Sequence, residues 1–482
     1  MSYSVTQNTS FLTAASILQK VISSVYFIII ARIIGVGNTG QYFFAISFTT
    51  IFTVIADFGL GPVLTRETAK YPEHSEKYLN TIFWTKILFG VATYGLVIVV
   101  INFLGYTSQL RHLVYLSGVT MFFDNLHTAF YSIFRARKNL IYESVGIIAS
   151  QLVTMLIGTV ALVSHASLLW LILAYTIASG LNVFYAGYFV HRVYGLRRKF
   201  IIDWSLLKLF LPLALPFALT GIIARLYAYT DTIIISKMLG NEHLGWWSVP
   251  YKISFAFQFI PSALSASIYP VMSTLSITNP EKIGQLFEKA WKYLFLIVFP
   301  LTAGLIVLAR PVVIKLYGAS YAPSVPVLQV LLVSLIFGFL SFITGALLNA
   351  TNHQKIQTTL FAVALVVNVV ANFILLPRFG LSGAALAALL GNIILCGGGF
   401  YFSRRYAVIP LWPLFQSVIQ TLVPALIMAV AVAILARKIN FIIAIPLGIL
   451  LYGALLFFTG ALSRTLIGEL WTKLRHQAPQ SV

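Results

Sequence analysis

Cysteine is nearly absent from this chain: Cys396 is the single one in 482 residues. That excludes an internal disulfide framework and any metal site built from cysteines. Charge is scarce too, at 9% of residues where a soluble domain carries roughly 25%. No G-x-x-x-x-G-K-[ST] occurs, so there is no P-loop to hydrolyse ATP. No predicted outer loop is long enough to house the chemistry of a membrane glycan polymerase or ligase. No N-terminal stretch combines a basic region, a short apolar core and a small-residue cleavage site, so the first apolar segment is expected to be a retained membrane span.

What is present is apolar, with 59% hydrophobic residues. The chain reads as an all-α polytopic membrane protein. A span needs roughly 20 mostly apolar residues, and fourteen segments qualify, near 11–34, 41–60, 81–104, 112–134, 144–163, 167–190, 206–239, 245–272, 291–309, 325–349, 357–376, 380–402, 414–436 and 440–462. The seventh is too long for one straight crossing, and Pro212 and Pro216 give it a reason to bend. Loops after even-numbered helices, with both termini, hold 19 Lys and Arg, against eight after odd-numbered helices. The positive-inside rule then predicts that both termini are cytoplasmic. The net charge of +20 is a topology signal with some attraction to anionic membrane lipid, so nucleic-acid binding is not needed to explain it.

An internal repeat emerges on shifting the chain by 205 residues, which lays "QKVISSVYFIIIARIIGVGNTGQY" from Gln19 on "ARLYAYTDTIIISKMLGNEHLGWW" from Ala224. Gly35 falls on Gly240 and Gly40 on Gly245. A shift of 214 aligns "FRARKNLIYES" with "LNATNHQKIQT" more weakly. The predicted organisation is a six-helix lobe over 1–200, a second over 201–408, and an extra helix pair with a cytoplasmic tail over 409–482. Substrate sites in transporters built from repeats lie at the repeat interface near the midplane.

Charges inside spans need a reason, because each costs at least about 2.5 to 3.5 kcal/mol at the membrane centre. Arg225 and Asp231 are six apart and project about 120° from each other on a helix, so they cannot simply neutralise one another. The 205-residue shift places Lys20 on Arg225, and both lie about 18 Å from the outer ends of their helices. They are candidates for a shared cationic cavity, or for snorkelling and structural pairing. Lys252 and Lys86 sit nearer helix ends, where snorkelling also suffices. Asp57, in "DFGLG", is a structural acid or a gate that pairs with a base. Asp124, near Asn125 and His127, is a partner for Lys20 or a proton or cation site. Asn182, Asn368, Asn372 and Asn392 read as hydrogen-bonding glue between helices, and Trp246 with Trp247 as interface anchors. "GVGNTG" from Gly35 fits G-x-G-x-x-G, but no strand precedes it. It is expected to be a turn between two membrane helices.

"ARIIGVGNTGQYFFAISFTTIFTVIADFGLGPVLTRETAK", Ala31 to Lys70, resembles the N-terminal signature of the polysaccharide biosynthesis family of Wzx-type oligosaccharide flippases, within the multidrug/oligosaccharidyl-lipid/polysaccharide exporter superfamily. The resemblance implies a V-shaped pair of six-helix lobes in the cytoplasmic (inner) membrane. They would move a polyprenyl-diphosphate oligosaccharide to the outer leaflet for O-antigen, capsule or exopolysaccharide assembly. It also implies a cationic site made by Lys20 and Arg225, with Lys252 and Lys86 as further candidates for the diphosphate. Asp57, Asp124 and Asp231 are the candidates for gating or for H+ or Na+ coupling. No cofactor and no metal are expected. A monomer is expected, with polysaccharide polymerase machinery as a candidate partner. The lipid II flippase branch shares this architecture. Drug/cation antiporters usually have twelve helices and should favour acids in their cavity.

Overall fold

The structure, a computed structural model, describes residues 5–197 and 199–461, with residues 5–10 described by backbone alone. Arg198, Arg464, Lys473 and Arg475, counted above for orientation, lie outside the described residues, as does the predicted tail. The helices are α1 (Val5–Asp57), α2 (Leu60–Lys70), α3 (Ser75–Phe103), α4 (Ser108–Ala136), α5 (Ile141–Val163), α6 (Leu168–Tyr194), α7 (Trp204–Met238) and α8 (Asn241–Phe257). They continue with α9 (Phe259–Thr278), α10 (Glu281–Tyr317), α11 (Ser324–Ala350), α12 (Gln354–Phe379), α13 (Leu381–Tyr406), α14 (Leu411–Lys438) and α15 (Phe441–Phe458). No strand occurs among the described residues. Helices are what lipid demands, since a backbone with no water to bond must satisfy itself within each segment.

Among the described residues, 12 helical stretches are long and apolar enough to cross a membrane. One of them, Phe11–Asp57, contains two predicted spans divided at Gly35, whose φ of 77° and ψ of 174° are not helical. α4 is absent from that set because Arg111, Asp124, His127 and Arg135 dilute its hydropathy. Dividing the first stretch and adding α4 recovers the fourteen predicted segments. The turn expected over Gly35 to Gly40 shrinks to the one left-handed residue, and the helix resumes directly after it. Its counterpart in the 205-residue shift, Gly240, also has a positive φ, 89°. α7 runs unbroken through Pro212 and Pro216.

The chain forms two compact units, Met1–Ala256 with Leu365–Ala384, and Phe257–Ala364 with Ala385–Val482. In the first, α2, α3, α4 and α6 close on an aromatic core in which Phe83 and Phe130 stand 5.1 Å apart and Tyr78 meets Phe210 of α7 edge-on at 5.3 Å. The opposite faces carry exposed apolar side chains such as Phe103, Val160 and Phe184, as expected of surfaces solvated by lipid. The α6–α7 connection is fastened to α3: the Asn80 amide donates to the Arg197 carbonyl at 2.9 Å and accepts from the Lys199 N–H at 2.8 Å. Trp84 Nε1 donates to the Lys199 carbonyl at 2.8 Å, and Lys77 pairs with Asp203 at 2.6 Å. Asp203 also caps α7 by accepting from the Ser205 and Leu206 N–H groups.

In the second unit α10 packs on α11 and α14. Phe287, Trp291, Phe295 and Phe299 recur every four residues on α10, with ring centres 4.9, 5.9 and 5.2 Å apart along the series, tilted, edge-on and stacked in turn. Asn392 donates to Ser334 Oγ at 2.8 Å, tying α13 to α11 as interhelical glue.

Candidate functional site

The first unit holds an open cavity of about 640 Å³ lined by residues of α1, α2, α4, α5, α6 and α7. Hydroxyl and amide groups are set into a wall that is otherwise largely apolar: Gln19, Thr50 and Thr53 from α1, Ser150, Gln151 and Thr154 from α5, Ser179 and Asn182 from α6. Such groups appear on these faces because each helix turns its apolar side to lipid or core and keeps one polar stripe. The charged lining residues are Asp57, Asp124, Arg135 and Arg225.

Arg225 is exposed on α7 and makes no ion pair among the described residues. Asp231, six residues on, is 94% buried and goes elsewhere: the Asn372 amide donates to its Oδ1 at 2.7 Å. Lys20 and Lys252 are not among the lining residues. Lys20 lies 5.7 Å from the ring centre of Phe255, and Lys252 lies 5.2 Å from that of Phe27, so α1 and α8 exchange a cation for a ring in both directions.

Lys86 is fully buried and has all three ammonium donors engaged, to Asp57 Oδ1 at 2.5 Å, the Asn125 carbonyl at 3.1 Å and Thr128 Oγ1 at 3.0 Å. Asp57 presents its remaining surface to the cavity. Asn125 fixes this cluster by donating to the carbonyls of Ala56 and Lys86. Asp124 accepts from Ser179 Oγ at 2.6 Å and lies 3.8 Å from His127 Nδ1. Tyr131 donates to Asn182 Oδ1 at 2.9 Å between α4 and α6. Trp247 is buried, which corrects its reading as an interface anchor; Trp246 meets His243 edge-on at 5.0 Å.

Sequence reasoning missed one pair. In the sequence Arg135 is one of the 19 positive charges that set the orientation, and nothing there singles out Glu143. The two close the turn between α4 and α5, Arg135 Nε donating to Glu143 Oε2 at 2.9 Å and Nη2 to Oε1. A base in the last turn of one helix and an acid in the first turn of the next, across a tight connection, is the signal that would have found it. No cluster of three or more His, Cys, Asp or Glu forms a metal site among the described residues.

The sequence profile of the family described as polysaccharide biosynthesis protein matches residues 5–276, more than half of the chain. The chain belongs to this family. A second profile, lipid II flippase MurJ, matches residues 247–451. Among curated members of the wider group, the chain is 28% identical over 169 residues to the probable flippase AglR of Haloferax volcanii, covering 34% of this chain and 35% of that one. It is 20% identical over 411 residues to the capsular polysaccharide biosynthesis protein CapF of Staphylococcus aureus, covering 83% and 99%. The chain thus spans about a third of the archaeal relative's length and nearly all of the staphylococcal one. In fold it is similar to lipid II flippase MurJ in an inward closed conformation, with a TM-score of 0.77, 19% identity, and coverage of 95% and 99%.

Proposed function

We propose that the protein is a flippase that carries a polyprenyl-diphosphate-linked oligosaccharide from the cytoplasmic to the outer leaflet of the cytoplasmic membrane by alternating access. The observation that carries this reading is Arg225, a guanidinium without an ion-pair partner among the described residues, which lines a cavity furnished with hydroxyl and amide groups. A diphosphate is an acceptor-rich anion that arginine binds bidentately. The hydroxyl and amide groups set into the wall suit the first sugars. The family match and the flippase named among the relatives support the same reading.

The membrane, the cytoplasmic placement of both termini, the two six-helix lobes and a monomeric state belong to this proposal, as does work beside a polysaccharide polymerase. So does coupling to H+ or Na+, with Asp231 and Asp124 as the groups that would bind the ion. Lys20 would add positive potential from beside Phe255.

A second reading, lipid II as the cargo, is favoured by the MurJ profile and fold. A drug/cation antiporter should favour acids in its cavity, and here the lining arginines, Arg135 and Arg225, match the aspartates, Asp57 and Asp124, in number. The test is transport in proteoliposomes of three probes: a polyprenyl-diphosphate oligosaccharide, lipid II and a cationic dye. Movement of the first alone supports the proposal, movement of lipid II alone selects the second reading, and movement of the dye alone rejects both.

A further inference from the structure

Two ion pairs of opposite polarity each put one partner in the cavity wall and bury the other behind it. In Lys86–Asp57 the base is fully buried and the acid side chain, 27% exposed, faces the cavity. In Arg135–Glu143 the acid is buried, 2% exposed, and the base, 47% exposed, faces it. A pair that served only to close the α4–α5 turn would have no need to leave its guanidinium half open to the cavity. Glu143 takes Arg135 through Nε and Nη2. Nη1 and its protons are not part of that pairing, so the planar fork is held by its back edge with donors left for a second anion.

Position adds to this. Arg135 lies in the last turn of α4, at the end of the bundle where the sequence predicts the cytoplasmic surface. Arg225 lies thirteen residues, about 20 Å, from the far end of α7. A lipid diphosphate entering from the cytoplasmic leaflet would meet the depth of Arg135 before that of Arg225.

Resting on the flippase reading, we propose that Arg135 is the entry-side ligand for a phosphate of the carried lipid and that Glu143 is its positioning residue. The two arginines then act in sequence, one at loading and one deeper along the path. Loss of Arg135 weakens capture of the lipid and leaves the turnover of captured lipid largely intact.

The experiment is initial-rate flipping of a fluorescent polyprenyl diphosphate bearing one sugar, in proteoliposomes, with thermal melting of each protein in parallel. The double variant Arg135→Met/Glu143→Leu replaces the ion pair by apolar groups, an exchange that is often neutral for stability. Arg135→Lys keeps a charge for Glu143 and loses the fork. The expected result is a KM raised roughly tenfold or more in both, the loss of one charge-assisted contact, with kcat little changed. A folded double variant with the wild-type KM overturns the assignment. If the double variant does not fold, Arg135→Lys decides: a raised KM upholds the assignment and an unchanged one overturns it. A wild type that leaves the probe in place removes the flippase reading and this assignment with it, whereas a competent wild type whose KM neither variant alters removes the assignment alone.

Discussion

Lys86 Nζ lies 2.5 Å from Asp57 Oδ1, and none of the lysine is exposed. The pair joins α3 to the end of α1, where Phe58 and Gly59 take positive φ angles and the chain steps into α2. Asp57→Ala leaves an ammonium buried against one carbonyl and one hydroxyl. The expected cost is about 3 to 5 kcal/mol, the range for breaking a buried pair from one side. Thermal melting should show the loss, and Asp57→Asn/Lys86→Met should recover most of it. A single variant as stable as wild type would mean that water already reaches the lysine.

α1 and α8 touch backbone to backbone at Gly40 and Gly245. A Cβ on Gly40 would lie 1.9 Å from the Asn241 carbonyl oxygen, and one on Gly245 would lie 2.1 Å from that of Val36. Backbone atoms cannot swing aside as a side-chain tip can. Gly40→Ala and Gly245→Ala should each destabilise by about 1 to 3 kcal/mol, as overpacking does, while Gly37→Ala, with nothing within 4 Å, should be close to neutral. Equal melting temperatures for all three would contradict the close crossing.

These two glycines also show what the sequence makes legible. The 205-residue shift pairs them from letters alone, and lipid-length apolar runs locate all fourteen segments, because hydropathy records the solvent each helix meets. α4 is the hardest to find by hydropathy, since its cavity face carries Asp124, His127 and Arg135. Pairing across helices is not legible. Lys20 and Arg225 align in the repeat, but Lys20 lies against Phe255 and only Arg225 lines the cavity. Arg135 looks like one of many positive-inside charges until its partner Glu143 is seen 2.9 Å away across a turn.

Asp203 provides a pH dependence outside the spans. Its carboxyl is held below the usual range, first by the hydrogen bond from Lys77 and then by that from the Leu206 N–H. A depressed folded value means that the stabilisation is fully present above the unfolded value of about 3.9 and fades as pH falls through the lower folded value. Melting temperatures of wild type and Asp203→Asn should therefore differ at neutral pH and begin to converge only as pH falls below about 4, through the lower folded value. A constant gap across that range would show that the cap acts without its charge.

Asp231, buried and bonded to Asn372, is proposed to bind the coupling ion. Imposed Na+ or proton gradients should change the flipping rate of wild type and leave Asp231→Asn and Asn372→Ala unresponsive. A wild-type rate indifferent to both gradients would remove coupling from the account.

The most direct test of the central claim is the initial rate of polyprenyl-diphosphate oligosaccharide flipping by wild type, Arg225→Lys and Arg225→Ala, each shown to be folded by its melting curve. The account predicts movement by wild type, a reduced rate in Arg225→Lys, and a fall of roughly tenfold or more in Arg225→Ala, as expected for removing a charge-assisted contact to phosphate. Flipping by Arg225→Ala at the wild-type rate would contradict it.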